Sequence, residues 1–350
     1  MSEKSARDRA IERFRSKSRT AYSIDKIVNG VYSGDANFLS KAITLVESSN
    51  PTHHEKAQQI IEKCLPKSGN SIRVGITGVP GVGKSTFIEA FGGYLTAKGH
   101  KVAVLAIDPS SSMSRGSILG DKTRMNELSK NEKAFIRPSP SSGALGGVAN
   151  ATRESIILCE AAGYDVIIVE TVGVGQSETT VHGMVDFFLL LMLSGAGDEL
   201  QGIKRGIMEM ADSIVINKAD GDNVQASKNA KREYQNALHL FPQKRSMWSP
   251  KVKTCSSTEG TNLDKIWSLI EKYKEQTMKN GYFGQNRTRQ AKNWMHENIN
   301  VMLKNRFYQN QLIENEIPHY ESKIADKELN PYKAAKKLIE LFDKSTKNET

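Results

Sequence analysis

The sequence predicts an α/β fold in which a mostly parallel sheet is covered by helices on both faces. Short runs rich in β-branched residues alternate with stretches of helical periodicity, and near-continuous apolar strands between helices are typical of parallel sheets. Polar motifs recur at the carboxyl ends of these runs, where ligands bind in such folds. The predicted strands are residues 72–77, 101–107, 164–170, 186–193, 213–217 and 251–256.

Helical regions flank the predicted sheet at both ends of the chain. Residues 1–70 carry apolar side chains at helical spacing, and residues 67–71 form a predicted linker. After Tyr282 the chain is polar and helical in pattern, with no further strand run. We therefore predict an N-terminal helical region at 1–70, a central domain at 71–280 and a C-terminal helical region at 281–350.

Composition excludes several classes of protein. Of the 350 residues, 38% are hydrophobic and 25% are charged, a balance typical of a globular protein. The longest apolar run, Phe187 to Leu193, is far shorter than the roughly 20 residues of a membrane span. Acidic residues interrupt the basic N-terminus and no apolar signal core follows, so we expect a cytoplasmic protein without a membrane partner. The three cysteines are far apart in sequence and form no metal-binding pair.

The net charge of +10 raises the question of a nucleic-acid partner. The basic excess is concentrated near the two ends of the chain, and it lacks the interleaved aromatic residues of a surface that binds single strands. We therefore expect solvated or partner-docking helix faces, and no nucleic-acid partner.

The first motif, "GVPGVGKS", follows a predicted strand and opens a predicted helix. This is the context that a phosphate-binding loop requires, because its backbone N–H groups and the helix N-terminus point at phosphate oxygens. Lys84 is expected to reach the β- and γ-phosphates, and the Ser85 hydroxyl to bind Mg²⁺. The predicted phosphate-binding residues are Gly78, Val79, Pro80, Gly81, Val82, Gly83, Lys84, Ser85 and Thr86.

A second motif, "INKAD", predicts that the base is guanine. The Asp220 carboxylate can accept from guanine N1–H and from the 2-amino group, a pair of donors that adenine lacks. Lys218 can lay its stem over the base, and Asn217 can brace the loop. The next strand ends in "TCSS", where Cys255 and Ser256 are expected to contact the guanine carbonyl through their backbone.

Two acidic residues follow the second predicted strand. Asp108 stands at its carboxyl end, where it can hold a metal-bound water, and the alternative is a turn-forming Asp-Pro. Asp121 lies further along the same loop. It can join the Mg²⁺ shell or orient the attacking water, and the alternative is a helix cap.

The stretch "ETVGVGQSE" has the pattern of a γ-phosphate sensor. Glu170 ends an apolar strand, where the second acidic Mg²⁺ residue of a phosphate-loop enzyme belongs. Gly173 stands three residues on, so its N–H can bond the γ-phosphate, and hydrolysis would release the loop. Gln176 can position water, although it does not follow Gly173 directly.

Together, "GVPGVGKST", "AIDPSSSMSRGSILGDKTRM", "ETVGVGQSE", "GDELQGIKRG" and "NKAD" resemble the motifs of the MeaB/ArgK family of P-loop GTPases. The resemblance runs from about residue 75 to residue 256. It implies a homodimeric GTPase of the SIMIBI class with a C-terminal dimerisation arm, using GTP, GDP and Mg²⁺. It also implies a chaperone that gates loading and protection of an adenosylcobalamin-dependent acyl-CoA mutase, with methylmalonyl-CoA mutase as the default partner.

The same resemblance assigns "GDELQGIKRG", residues 197–206, to a third switch element that couples nucleotide state to the mutase. On that match Lys204 is the first residue to test, and its alternative role is a solvated helix lysine. A rival function remains, because some relatives are described as arginine/ornithine transport kinases. A third possibility, metal insertion, would require Cys or His clusters that the chain lacks.

Overall fold

The computed structural model describes residues 22–48, 50–107, 125–139, 145–171, 177–195 and 205–347. Within these ranges the strands are β1 (Ile72–Gly78), β2 (Val102–Ile107), β3 (Ala134–Ser139), β4 (Val166–Thr171), β5 (Phe187–Met192), β6 (Ser213–Ile216) and β7 (Lys251–Thr254). The helices are α1 (Ile24–Tyr32), α2 (Ala36–Val46), α3 (Pro51–Cys64), α4 (Lys84–Ala97), α5 (Leu145–Ala161), α6 (Ser177–His182), α7 (Arg205–Met210), α8 (Val224–Leu238), α9 (Leu263–Lys279), α10 (Tyr282–Tyr308), α11 (Gln311–Ala325) and α12 (Pro331–Lys347).

The seven strands form one parallel sheet in the order β3-β2-β4-β1-β5-β6-β7. Described helices lie between β1 and β2 and in each of the connections from β3 to β7, as crossovers between parallel strands require. Strands β4 and β5, near the middle of the order, are buried along their whole length. The predicted α/β fold is therefore confirmed. The carboxyl ends of β1, β4 and β6 lie along the same edge of the sheet.

Six of the seven strands were predicted, each within two residues at both ends. The strand that the sequence pattern did not predict is β3, "AFIRPS". It carries Arg137 and Pro138 and lies at the edge of the sheet, where a proline costs no ladder hydrogen bond on the open side. Its composition is that of a turn or loop, so only its pairing with β2 identifies it as a strand.

The N-terminal helices begin at side-chain caps. The Asp35 carboxylate accepts from Asn37 N at 2.8 Å before α2, and the side-chain Oδ1 of Asn50 accepts from Thr52 N at 3.0 Å before α3. These helices pack on one another and on α5. Gln58 of α3 donates to Glu154 of α5 at 2.7 Å. This hydrogen bond joins the N-terminal region to the helix that connects β3 and β4.

A buried ionic network, which we call the sheet foot, joins the amino ends of β1 and β5 to three other elements. Glu160 of α5 accepts from Arg73 Nε and Arg73 Nη2, both at 2.9 Å, and from the Ser71 hydroxyl at 2.6 Å. Arg287 of α10 donates to both oxygens of Asp186, at 2.8 and 2.7 Å. The network therefore ties the linker, β1, α5, β5 and the first turns of α10 together.

The chain divides into two compact units, Met1–Arg287 and Thr288–Thr350. The second unit contains most of α10 together with α11 and α12. Within it the rings of Phe307 and Phe342 lie 5.4 Å apart, and Asn310 caps α11 by accepting from Leu312 N at 3.0 Å. In the part of the chain that the structure describes, no helix is both long and apolar enough to cross a membrane.

Candidate nucleotide-binding site

The predicted phosphate loop connects β1, which ends at Gly78, to α4, which begins at Lys84. Its sharp path depends on glycine at two positions. Gly83 has φ 87°, in the left-handed region, directly before the helix. A Cβ added to Gly78 would lie 2.5 Å from the Leu191 carbonyl oxygen of β5, so a side chain there would force the strands apart. The loop therefore places backbone N–H groups and a helix N-terminus at the carboxyl edge of the sheet.

The side chain of Lys84, the first residue of α4, points back into this loop. Its Nζ donates to the Gly78 carbonyl at 2.9 Å and to the Val79 carbonyl at 3.4 Å. Burial lowers the pKa of Lys84 below its ordinary value, while the nearby carboxylates of Glu170 and Glu178 oppose that shift. The ammonium is therefore held where the loop closes, beside two buried acids.

Ser85 and Glu170 bring two oxygen ligands together. The Ser85 hydroxyl donates to Glu170 Oε1 at 3.5 Å, and Glu170 is only 4% exposed at the end of β4. Mg²⁺ prefers oxygen ligands and binds few protein groups, completing its shell with water and phosphate oxygens, so this pair fits Mg²⁺. No group of three or more His, Cys, Asp or Glu side chains in the described ranges could hold a metal ion. A Mg²⁺ ion here would depend on the Ser–Glu pair and on phosphate.

The base-reading loop after β6 is fastened to the phosphate loop. Asn217 Nδ2 donates to the Val82 carbonyl at 2.9 Å, and Lys218 Nζ donates to the Gly81 carbonyl at 2.9 Å. Lys218 adopts φ 56°, an uncommon conformation for a residue with a side chain. The two motifs, over 130 residues apart in sequence, are therefore held as one structural unit.

The Asp220 carboxylate is oriented by hydroxyl groups. Its Oδ2 accepts from the Ser256 hydroxyl, and from the Thr258 hydroxyl at 3.2 Å. Both of these donors bind the same oxygen of the carboxylate. Because hydrogen bonds to a charged group are the stronger ones, they fix the plane in which Asp220 presents its oxygens.

Two functional positions were not predicted from the sequence. Ser257 donates to Asn217 Oδ1 at 2.7 Å, and so fixes which face of the Asn217 amide points at the phosphate loop. Thr258 is the second donor to Asp220. Both directly follow Ser256, and the available signal was a run of three hydroxyl residues, "SST", after a strand end. Cys255 also contacts Asn217 Oδ1, at 3.4 Å, and burial raises its pKa to about 12, so it stays a neutral thiol.

The structure brings together the predicted residues of the phosphate loop, Glu170, and the residues of the base-reading loop. Five predicted residues lie outside the described ranges, and their roles stay predictions. They are Asp108, Asp121, Gly173, Gln176 and Lys204.

Comparison with known proteins gives this arrangement a family. The family described as "Methylmalonyl Co-A mutase-associated GTPase MeaB" matches residues 39–312. The chain belongs to the MeaB family. The predicted resemblance is therefore confirmed, and the chain is a P-loop GTPase that binds guanine nucleotide and hydrolyses GTP to GDP and phosphate.

Several known proteins are similar to this chain over most of its length. The chain is 51% identical to "GTPase ArgK" of Escherichia coli over 278 residues, 79% of this chain and 84% of that protein. It is 44% identical over 329 residues to mouse "Methylmalonic aciduria type A homolog, mitochondrial", covering 91% and 79%. A solved structure described as "Crystal structure of LAO/AO transport system kinase" superposes with TM-score 0.73 at 39% identity, covering 91% of this chain and 97% of that one.

Proposed function

We propose that this GTPase gates the loading of adenosylcobalamin onto an acyl-CoA mutase, and helps protect that enzyme, with methylmalonyl-CoA mutase as the default partner. The observation that carries the proposal is the family match, which covers residues 39–312. The description of that family names association with methylmalonyl-CoA mutase. The name of the mouse relative, which refers to methylmalonic aciduria, supports the same partner. Adenosylcobalamin is the cargo in this proposal and not a resident group of the chain.

The chemistry of hydrolysis is assigned to the loop residues. Lys84 neutralises charge on the transferred phosphoryl group, and its position among the loop carbonyls at 2.9 and 3.4 Å supports this role. Ser85 and Glu170 would hold Mg²⁺, joined by Asp108 and Asp121, and the ion would supply further neutralisation of the phosphates. Asp121 and Gln176 are alternative residues for orienting the attacking water.

The switching role is assigned to the segment that follows β4. Glu170 is buried at the end of that strand, and Gly173 lies three residues further on. A bond from Gly173 N to the γ-phosphate would order this segment in the GTP form and release it after hydrolysis. Lys204, in the third switch element, would couple this change between the GTP and GDP forms to binding of the mutase. We also infer that the chain acts as a homodimer through its C-terminal helical region.

Titration calorimetry of the GTP-analogue and GDP forms against purified mutase tests the proposal. A ligand shifts an equilibrium only by its differential binding, so the two forms should bind the mutase with affinities that differ by about fivefold or more. Turnover of GTP should rise when mutase is added. Lys204→Ala should bind GTP normally but lose this difference, whereas Lys56→Ala, an exposed lysine on α3, should keep it. Equal affinities together with turnover that ignores the mutase would refute the chaperone role.

A kinase that phosphorylates a small molecule or a transport protein is the second candidate. The similarity to a protein described as a transport system kinase, 39% identical to this chain, favours it. The two functions differ in where the γ-phosphoryl group goes. With γ-labelled GTP, a kinase transfers label to arginine, ornithine or a transport protein, whereas a GTPase chaperone releases all of it as phosphate.

A further inference from the structure

A pocket of about 370 Å³ lies at the amino ends of β6 and β7. The nucleotide-binding residues follow the carboxyl ends of the strands, so this pocket is separate from the GTP site. Its walls combine apolar and polar side chains and come from four segments: α7, the end of α8, the loop before β7, and β7 itself. The apolar part of the wall consists mainly of Met208, Leu238, Phe241, Trp248 and Pro250, and Lys251 of β7 lines the pocket beside them. Its volume is in the range of pockets that hold one ligand or one anchoring side chain.

The wall of the pocket is held by hydrogen bonds. Lys244 Nζ donates to the Met210 and Ala211 carbonyls, at 2.7 and 2.8 Å. It also pairs with Asp212 Oδ1 at 2.8 Å. The Trp248 indole N–H donates to the Asp212 carbonyl at 2.9 Å. The pocket is therefore preformed, and an entering group does not have to order it.

Beside this pocket, five lysines surround the open edge of the sheet. Lys251 and Lys253 belong to the edge strand β7, and α8 and α9 contribute the others. We call this set the lysine strip: Lys231, Lys251, Lys253, Lys265 and Lys272. Burial lowers the pKa of Lys253 below its ordinary value, and the charges of the other four lysines lower it further. None of the five forms an ion pair with a carboxylate in the described parts of the chain.

Lysines on an edge strand have an ordinary explanation, which is protection against pairing with another sheet edge. That explanation accounts for Lys251 and Lys253. It does not require three more lysines from two helices, nor an adjacent pocket with apolar side chains in its wall. Repulsion within the strip is relieved by an anionic partner, and the pocket adds a place for an apolar group.

We propose that the pocket and the lysine strip together form a docking surface for an extended, acidic protein segment that carries one large apolar side chain. The acidic residues face the strip, and the apolar side chain enters the pocket past Leu238 and Phe241. Main-chain pairing with the open edge of β7 is the recognition mode that suits an extended segment. This surface does not depend on the mutase assignment.

A nucleic acid fits the surface less well. Binding of single strands uses aromatic side chains on which bases stack. Among the described residues, the exposed large aromatic side chains are Tyr22, Tyr308 and Tyr332, and none of them belongs to the strip or the pocket. A phosphate backbone would also leave the apolar part of the pocket wall, including Leu238 and Phe241, without an apolar partner. An acidic protein segment uses both features.

The test uses the full chain and a fluorescent synthetic peptide of Glu, Asp and Ser with one central Leu. Lys251→Glu/Lys253→Glu should weaken peptide binding by about tenfold or more, because charges that attract become charges that repel. The matched control is Lys56→Glu/Lys133→Glu, two exposed lysines elsewhere, which changes the net charge of +10 by the same four units. The control should change affinity by about twofold or less. GTP binding should be unchanged in both variants.

The pocket is tested by a double-mutant cycle. Leu238→Ala, and separately a peptide with Ala in place of the central Leu, should each weaken binding, and the combination should weaken it little further. Equal losses from the two lysine pairs would overturn the proposal, because net charge alone would then explain binding. So would a fully additive cycle, or a single-stranded oligonucleotide of equal charge that binds as tightly and ignores Leu238→Ala.

Discussion

At the scale of single residues, the choice of base depends on Asp220. Its carboxylate is held on one oxygen by Ser256 and Thr258, which keeps its plane fixed for a partner that donates twice. Guanine offers two such donors. The amide of an Asn at this position would present one acceptor and one donor, which matches xanthine with its second carbonyl.

We therefore predict that Asp220→Asn lowers affinity for GTP by about a hundredfold or more, since hydrogen bonds to a charged group contribute strongly. The same variant should gain affinity for xanthosine triphosphate. Competition binding with both nucleotides measures the change. Asp222→Asn is the matched control, because Asp222 is an exposed acid two residues away. Unchanged GTP preference in Asp220→Asn would remove Asp220 from base recognition.

The motif predicted Asp220 and Asn217, but not the hydroxyl groups that orient them. Ser257 and Thr258 act across about 40 residues of sequence, and their hydrogen bonds exist only after β6 and β7 have paired. A phosphate loop or an NKxD motif can be recognised from spacing because its members are neighbours in the chain. Side chains that follow the next strand, such as Ser257 and Thr258, cannot be recognised in this way.

At the scale of elements, the sheet foot contains a carboxylate, Glu160, whose contribution to stability depends on pH. Burial raises the pKa of Glu160, but the hydrogen bonds and charges of Arg73, Ser71 and Arg287 outweigh it, so the pKa lies below the ordinary value of 4.5. A carboxyl with a depressed folded pKa contributes stability above its unfolded pKa. That stability is lost as pH falls below about 4.5 and through the folded pKa.

We predict that Glu160→Gln lowers the free energy of unfolding at pH 7 by about 3 kcal/mol, because it leaves the largely buried Arg73 guanidinium without its counter-ion. It should also flatten the fall in stability as the pH drops below about 4.5, because the pKa of the wild-type carboxyl lies below that ordinary value. Urea denaturation at several pH values measures both. Glu62→Gln, at an exposed position on α3, should do neither. A variant that kept the wild-type slope would show that other groups carry the acid response.

The elements also show where sequence patterns are sufficient. Strands β4 and β5 are buried along their whole length and contain long apolar runs, so composition located them. Strand β3 is an edge strand with Arg137 and Pro138, and Arg137 is used to reach α2, where it pairs with Glu47. Because Arg137 contacts the N-terminal helices and Pro138 lies at the sheet edge, the strand lacks the apolar pattern of a strand that is buried on both faces.

At the scale of the whole molecule, the positive charge has a distribution that the sequence does not reveal. Two basic segments near the ends are visible in the sequence, but the lysine strip is not. Its members come from three elements and are spread between Lys231 and Lys272. They converge only because β7 is the last strand of the sheet, with α8 before it and α9 after it. A surface such as the lysine strip can therefore be found only once the order of the strands and helices in space is known.

The second unit, Thr288–Thr350, shows a different surface. Within α10 the apolar side chains at 295, 299, 302 and 303 recur at helical spacing and form one stripe. They are exposed by 52%, 43%, 63% and 58%. An exposed apolar face of this length marks a protein interface. A second copy of the chain is the occupant expected from the homodimer proposal, because a two-fold axis lets one patch cover its own copy.

We predict that Met302→Asp and Ile299→Asp shift the protein from dimer to monomer in sedimentation velocity, since a buried carboxylate on each side of a two-fold contact is strongly unfavourable. Both side chains are exposed in the single chain, so the substitutions should change its own stability by only about 0.5 kcal/mol. GTP affinity should therefore stay at the wild-type value. Met278→Asp is the matched control, because Met278 is a methionine of α9 that is 58% exposed. It should leave the dimer intact. A wild-type protein that sediments as a monomer at every concentration, or a Met302→Asp protein that remains dimeric, would show that this stripe is not the dimer interface.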